Sequence, residues 1–128
     1  MSKFALKEFN NVNGTITFFK IIEDGFCYWD DFCKSIQRDG TWVEQLDVLV
    51  SQMDDKANLK PLSEKKYKEI STGINGIKGF EFRTKDLRAY GIKDAQGNII
   101  IYAGKKSTQP KDIPKLKSIV KRYLTSEK

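Results

Sequence analysis

The segment from residue 77 to residue 104 alternates apolar and polar positions and is interrupted by only two short turns. Residues 77–84, 87–93 and 98–104 are typical of β-strands, and residues 85–86 and 94–97 are typical of the turns between them. Such short connections cannot provide the crossover that a parallel pair of strands needs. The three strands must therefore form an antiparallel meander, and the rest of the chain has to pack against it.

Two strands and two helices are predicted ahead of the meander. Residues 4–9 and 15–22 are typical of strands on either side of the turn-rich segment 10–14. A first helix, ending at Gly40, is indicated by apolar residues at the spacing i, i+3, i+4, i+7, namely Trp29, Phe32, Cys33 and Ile36. Thr41 and Glu44 form a capping-box pattern for a second amphipathic helix that runs to about Lys56.

The remaining segments are predicted as helical. Residues 63–70 are long enough for two helical turns, and Asp112 is placed to cap a closing helix with an apolar face. The order of elements predicts a single α+β domain over residues 1–128. We expect a small, mostly antiparallel sheet with two N-terminal helices packed on it and a C-terminal helix. The helices are expected to cover one face of the sheet and to leave the other face or its rim free for a ligand.

The net charge of +6 is distributed unevenly along the chain. Residues 1–77 contain 10 basic and 12 acidic side chains, whereas residues 78–128 contain 13 basic and 5 acidic ones. Such segregation predicts that the C-terminal elements meet a negatively charged partner. The chain contains no histidine, which excludes Ser-His-Asp and Cys-His catalysis and every metal site that needs an imidazole.

The sequence gives little indication of a signal peptide, a membrane span or a disulfide bond. The first residues lack the apolar run of a signal peptide, and no stretch has the length of a membrane span. We therefore expect a cytoplasmic protein with no membrane partner. Cys27 and Cys33 lie six residues apart on a predicted helix, where they point to different faces. They are interpreted as small buried thiols rather than as a disulfide or a metal site.

Residues that can recognise phosphate and nucleobases are concentrated in and after the meander. Arg83 and Arg88 lie on adjacent predicted strands across a tight turn, so their guanidinium groups are expected to converge. Four lysines are expected to complete a basic concavity, namely Lys85, Lys93, Lys105 and Lys106. Two rings offer base stacking or phenolic hydrogen bonds, namely Tyr90 and Tyr102. The alternative is that Arg83 pairs with Glu81 or Asp86 and that the lysines only solvate a turn.

Three short sequence segments in this region, here called runs, follow one another in an order that is also found in a known protein family. They are residues 80–83 (Phe-Glu-Phe-Arg), residues 87–90 (Leu-Arg-Ala-Tyr) and residues 99–106 (Ile-Ile-Ile-Tyr-Ala-Gly-Lys-Lys), followed by residues 107–113 and a helix. The order resembles the core of the RelE/ParE toxin superfamily, and most closely its HigB-like, phage-derived branch. The resemblance covers roughly residues 76–124, and the order and spacing of the runs carry it rather than any single motif.

The resemblance implies a compact sheet with two N-terminal helices and a toxin from a two-gene toxin–antitoxin module. Such toxins are typically endoribonucleases that cut mRNA in the ribosomal A site. They activate a 2′-hydroxyl against the adjacent phosphate without a metal or another cofactor, and cationic side chains stabilise the developing charge. The implied partners are ribosome-bound mRNA and a cognate antitoxin, which is a small helix-turn-helix protein.

The resemblance also implies roles for individual residues. Arg88 would contact the scissile phosphate with Arg83 beside it, while a lysine stabilises the transition state and a tyrosine orients the base or the 2′-hydroxyl. The implied catalytic residues are Arg83, Arg88, Tyr90, Lys105 and Lys106. The implied residues for binding RNA and its phosphates are Lys85, Lys93, Tyr102 and Lys111.

Two other functions remain open. HigB-like enzymes usually carry a histidine in the cleft, and RelE carries lysines where this chain has Gly79 and Glu81. General acid–base catalysis would then depend on lysine, tyrosine or Glu81, whose ordinary pKa values lie far from neutrality. One alternative is a non-catalytic module of the same fold that binds an antitoxin or nucleic acid. The other is a gyrase-inhibiting, ParE-like toxin.

Overall fold

The structure is a computed structural model that describes residues 2–126. It begins with strands β1 (Phe4–Glu8) and β2 (Phe18–Glu23), followed by helices α1 (Tyr28–Asp39) and α2 (Val43–Ala57). Four strands come next, namely β3 (Tyr67–Ser71), β4 (Lys78–Arg83), β5 (Leu87–Asp94) and β6 (Gly97–Lys105). A short 3-10 turn (Lys106–Thr108) leads into the closing helix α3 (Gln109–Ser126). The protein therefore has the predicted α+β composition.

The six strands form one mixed sheet in the order β1-β2-β6-β5-β4-β3. All neighbouring strands run antiparallel except β2 and β6, which are parallel. The predicted meander is confirmed as β4, β5 and β6, and the predicted N-terminal pair is confirmed as the hairpin of β1 and β2. The parallel contact between β2 and β6 joins these two units into a single sheet.

Helices cover both faces of the sheet. Successive residues of a strand point to opposite faces. Leu87 and Ala89 of β5 lie in an apolar cluster with α1 and α2, whereas Tyr90 and Ile92 of the same strand lie in a second cluster with α3. The expectation that the helices cover only one face is therefore wrong, because the apolar side of α3 requires a partner surface of its own. A ligand has to meet the rim of the sheet or a cleft between the layers.

Residues 63–70 include a strand instead of the predicted helical turns. β3 pairs antiparallel with β4, and Tyr67 lies opposite Phe82. The Tyr67 ring is buried, with its centroid 5.8 Å from that of Phe80 and 5.1 Å from that of Phe82. Pairing with the sheet and burial of this ring outweigh a weak local preference for helix.

The ends of the first two helices agree only in part with prediction. α1 ends as expected at Gly40, which has a φ of 82° and donates its N–H to the carbonyl of Ile36. α2 has Trp42 rather than Thr41 at its N-cap, and no side chain caps it, so the predicted capping box does not form. In the part of the chain that is described, no helix combines the length and the apolar character needed to cross a membrane.

Candidate functional site

Arg83 and Arg88 lie directly opposite each other across β4 and β5. Their neighbours Phe82 and Leu87 point to the α1–α2 face, so both arginines point to the α3 face. The Nε atoms of both guanidinium groups are buried and have no hydrogen-bond acceptor in the described chain. Like charges in direct opposition across a strand pair are unfavourable. The two guanidinium groups therefore concentrate positive charge at this point of the sheet, and an anion at the half-exposed Arg83 would compensate it.

Arg88 is almost completely enclosed, with 3% of its surface exposed. Its Nη1 atom donates hydrogen bonds to the carbonyl oxygens of Thr84 and Leu87, and its Nε atom lies 3.9 Å from the Glu81 carboxylate. Burial, followed by the charge of Arg83, lowers the pKa of Arg88, while Glu81 opposes this change. The guanidinium nevertheless stays charged at neutral pH. Arg88 is therefore a buried positive charge next to the half-exposed Arg83.

The first turn of α3 closes over this part of the sheet. Gln109 donates from its side-chain amide to the Glu81 carboxylate at 2.8 Å. Asp112 is not the predicted cap, because α3 begins three residues earlier; it is buried in the first turn and accepts a hydrogen bond from the Thr108 hydroxyl at 2.6 Å. The Asp112 carboxylate packs against Gly104, where a Cβ atom would collide with it. The missing side chain at position 104 thus makes room for the buried carboxylate.

Tyr90 also lies beneath the first turn of α3 and has no exposed surface. Its hydroxyl makes no hydrogen bond of good geometry, although the Gln109 side chain lies beside it. Burial raises the pKa of Tyr90 well above its ordinary value of about 10. The phenol therefore stays protonated at neutral pH, and a base can reach this ring only if the start of α3 moves.

Cations surround the end of the sheet at which β4 passes into β5. The backbone N–H of Arg83 bonds to the carbonyl of Lys66, and that of Lys106 bonds to the carbonyl of Asp86. We call the five cations at this end the basic edge, namely Lys65, Lys66, Arg83, Lys85 and Lys106. None of the five has an ion-pair partner within 4.0 Å among residues 2–126. Sequence reasoning missed Lys65 and Lys66, because only the pairing of β3 with β4 brings them here.

Two of the predicted site lysines lie elsewhere. Lys105 pairs with Leu87 and therefore points to the α1–α2 face, where its Nζ atom lies 5.0 Å from the centre of the Trp42 ring. Lys93 lies about 20 Å from Leu87 along β5, and its Nζ atom is 3.2 Å from the Glu69 carboxylate. The basic concavity therefore does not include Lys93 or Lys105.

Tyr102 and Lys111 do not belong to the basic edge. Tyr102 pairs with Tyr90 across the strands, but its ring is half-exposed in a cleft between α1 and α3. Lys111 is exposed in the first turn of α3 and has no ion-pair partner in the described chain. The site thus has an accessible layer, formed by the basic edge and Lys111, and a buried layer that contains Arg88 and Tyr90.

Neither a metal centre nor a known relative helps to interpret this site. Within residues 2–126, no group of three or more His, Cys, Asp or Glu side chains is arranged to hold a metal ion. Comparisons with protein-family models, with curated proteins and with solved structures find no match to this chain.

Proposed function

We propose that the chain binds the phosphates of RNA at the basic edge and Lys111, and that it acts as a RelE-like toxin of a toxin–antitoxin module. The opposition of Arg83 and Arg88, each with an unsatisfied Nε atom, is the observation that carries the proposal. A phosphate suits the half-exposed Arg83 because it is an anion that arginine binds through paired N–H groups. Its charge would also relieve the repulsion between the two guanidinium groups.

The two arginines take different roles in this proposal. Arg83 is half-exposed and is the residue that touches the phosphate. Arg88 is a positioning residue, because it is buried and acts through the local potential and through its contact with Arg83. The unpaired lysines of the basic edge attract further phosphates, and each such contact releases counterions from the nucleic acid.

The positions of the motifs support a RelE-like fold. The runs at residues 80–83, 87–90 and 99–106 lie on β4, β5 and β6, which are adjacent in the sheet, and the segment after them starts α3. The residues of the three runs therefore meet at one end of the sheet. The proposal locates the protein in the cytoplasm, with ribosome-bound mRNA and a small helix-turn-helix antitoxin as partners.

For the chemical step, we propose attack of the 2′-hydroxyl oxygen on the adjacent phosphate. A 2′,3′-cyclic phosphate forms, and the bond from phosphorus to the 5′-oxygen breaks. Arg83 and Lys106 stabilise the charge that develops on the phosphate, which requires no metal. Glu81 takes the proton of the 2′-hydroxyl after Gln109 releases its carboxylate, and a lysine of the basic edge protonates the departing oxygen.

Induction of the chain in a bacterium tests this proposal. We expect growth arrest together with mRNA cuts at A-site codons, and Arg83→Ala should relieve both effects. The matched control is Lys7→Ala, which removes an exposed cation from β1 at the opposite edge of the sheet and should leave both effects unchanged. Unimpaired growth with the intact chain would refute the toxin proposal.

A second candidate is a non-catalytic module that binds RNA or an antitoxin through the same edge. The burial of Arg88 and Tyr90 favours it, since neither side chain reaches a substrate while α3 is closed. This candidate predicts RNA binding that weakens steeply with salt, together with intact mRNA on the ribosome. A DNA-damage response instead of translation arrest would point to the gyrase-inhibiting alternative.

A further inference from the structure

A cleft of about 510 Å³ lies between α1 and α3, beside the end of β6. Its size is in the range of pockets that bind small organic ligands. Aromatic rings form much of its lining, namely Phe26, Tyr28, Phe32 and Tyr102. Polar groups stand among them, namely Asp31, Ser35, Lys115 and Ser118. Aromatic surface combined with a few hydrogen-bonding groups is the chemistry that recognises a nucleobase.

Phe26 is held at this cleft by a tight turn, with 45% of its surface exposed. Glu23 and Phe26 exchange two backbone hydrogen bonds around Asp24 and Gly25, whose φ angles are 50° and 83°. Asp24 adopts this left-handed conformation although it is not glycine, and Lys3 anchors it through two hydrogen bonds. A strained backbone that presents an exposed aromatic ring is a feature that often serves binding.

The rings of the cleft are arranged before any ligand arrives. Phe26 packs edge-on against Tyr28 with centroids 5.0 Å apart, and Tyr28 lies 5.6 Å from Tyr102. The Tyr28 hydroxyl donates to Glu23 at 2.6 Å, and Arg122 holds the same carboxylate with two further hydrogen bonds. Because Tyr28 is fixed in this way, little side-chain freedom is lost when a flat ring enters the cleft.

A line of three cations and one serine on α3, which we call the cationic line, connects the cleft to the basic edge. Lys111, Lys115, Ser118 and Arg122 follow the spacing i, i+4, i+7, i+11, so they lie on one face of the helix. The last three of them line the cleft. Lys111 begins the line, about 6 Å along the helix from Lys115. A chain of phosphates bound at the basic edge can therefore continue along α3 to the aromatic rings.

We propose that this cleft binds a nucleobase of single-stranded RNA whose phosphates are held by the basic edge and by the cationic line on α3. The inference rests on the proposed function, and it narrows the substrate to single-stranded RNA. In a duplex the bases are stacked and paired, so they cannot turn out onto the rings of the cleft. The base stacks on Phe26 and Tyr102, while Lys115 contacts a flanking phosphate.

Fluorescence anisotropy with the purified full chain tests the inference. The probe is a labelled uridylate hexamer that carries one adenosine, and a second probe has an abasic site at the adenosine. We expect Phe26→Ala and Tyr102→Leu each to weaken binding of the first probe by about 5- to 150-fold, the range seen for loss of one stacked base. The abasic probe should bind the intact chain more weakly by a similar factor, with no further loss in Phe26→Ala, because both changes remove the same contact.

The control variant is Val48→Ala, which shortens an equally exposed apolar side chain on α2, outside the residues that line the cleft. It should bind both probes as the intact chain does. Circular dichroism confirms that the variants are folded, and the large exposed fraction of Phe26 makes Phe26→Ala a mild change for the fold.

The outcomes separate this inference from the proposed function. One outcome is salt-sensitive RNA binding that is lost in Arg83→Ala but unchanged in Phe26→Ala and Tyr102→Leu. It would overturn the inference and leave the proposal for the basic edge intact. Duplex RNA that binds as tightly as the single strand would also overturn it. Failure of the intact chain to bind any RNA would overturn both proposals.

Discussion

Glu23→Gln should destabilise the protein in a manner that depends on pH. The Glu23 carboxylate is buried at the end of β2 and accepts two hydrogen bonds from Arg122 of α3, at 2.7 and 2.9 Å. It also accepts one from the Tyr28 hydroxyl at 2.6 Å. The carboxylate thus joins β2, α1 and α3 at one point. Glutamine keeps the size of the side chain and removes its charge.

The magnitude follows from the pKa of Glu23. The hydrogen bond from Arg122 is the main cause that lowers it from 4.5 to about 2, against the opposite effect of burial. One pKa unit corresponds to about 1.4 kcal/mol, so the full shift is worth roughly 3 kcal/mol. The Arg122 side chain is 42% exposed, and water screens its charge. We therefore expect Glu23→Gln to lower the free energy of unfolding by about 1–2 kcal/mol at pH 7.

The sign of the pH dependence is fixed by the direction of this shift. Because the pKa of Glu23 is lower in the folded protein, its stabilisation is complete well above the unfolded pKa of 4.5 and is lost as the pH falls towards about 2. At pH 3 more than half of it should have disappeared. Urea unfolding followed by tryptophan fluorescence at pH 7 and at pH 3 measures this difference between the variant and the intact protein.

The control is Glu69→Gln, since Glu69 forms an exposed ion pair with Lys93 at 3.2 Å. Exposed pairs contribute little, so this variant should unfold at nearly the same urea concentration as the intact protein at both pH values. Equal stability of Glu23→Gln and the intact protein at pH 7 would contradict this role of the carboxylate. Equal destabilisation at pH 7 and pH 3 would contradict it as well, because the charge interaction of Glu23 in the intact protein weakens as its carboxylate is protonated.

Three further predictions concern packing and thiol reactivity. Gly91→Ala should lower the free energy of unfolding by about 1–3 kcal/mol, because a Cβ atom would collide with the carbonyl of Ile99 and the ring of Phe80; an unchanged urea midpoint would contradict this. Leu49→Ala removes a fully buried side chain between the helices and the sheet and should cost about 2–5 kcal/mol in the same assay. Burial raises the pKa of Cys33 to about 12, so an aromatic disulfide reagent at pH 8 should modify it far more slowly than in the urea-unfolded chain, and equal rates would argue against this assignment.

Elements with a strong local pattern could be predicted from the sequence. The alternation of apolar and polar residues and the short turns predict the meander. The apolar stripe of α1 and the glycine that ends it, Gly40, predict this helix. β3 could not be predicted, because it is an edge strand whose main apolar contact is the Tyr67 ring against β4. Its formation depends on a neighbour that lies beyond the range of a local pattern. The same holds for the parallel contact between β2 and β6, which joins distant parts of the chain.

The site could be predicted only where neighbours in sequence are also neighbours in space. Arg83 and Arg88 converge because a tight turn joins their strands. The position of Lys105 depends on the register between β5 and β6, which shifts between Tyr90 and Gly91. Such a bulge breaks the simple alternation along β6, so the face on which Lys105 lies does not follow from counting residues. The burial of Arg88 depends on where α3 begins.

The acidic and basic residues of the chain are separated between the layers of the fold. Residues 23–55, which run from the end of β2 almost to the end of α2, contain nine acidic and two basic side chains, whereas the rest of the chain contains 21 basic and eight acidic ones. Since α1 and α2 cover one face of the sheet and α3 covers the other, the acidic residues of α1 and α2 lie mainly opposite α3. Exceptions are Asp31, which lines the cleft beside α3, and Glu23, which pairs with Arg122. The acidic layer of α1 and α2 repels a polyanion, whereas the cations of α3 attract it. The electrostatic field of the whole protein therefore turns α3 towards the polyanion before contact. In the proposed complex, the basic edge and the cationic line on α3 then meet the phosphates of the RNA first, and the single strand reaches the aromatic cleft from there.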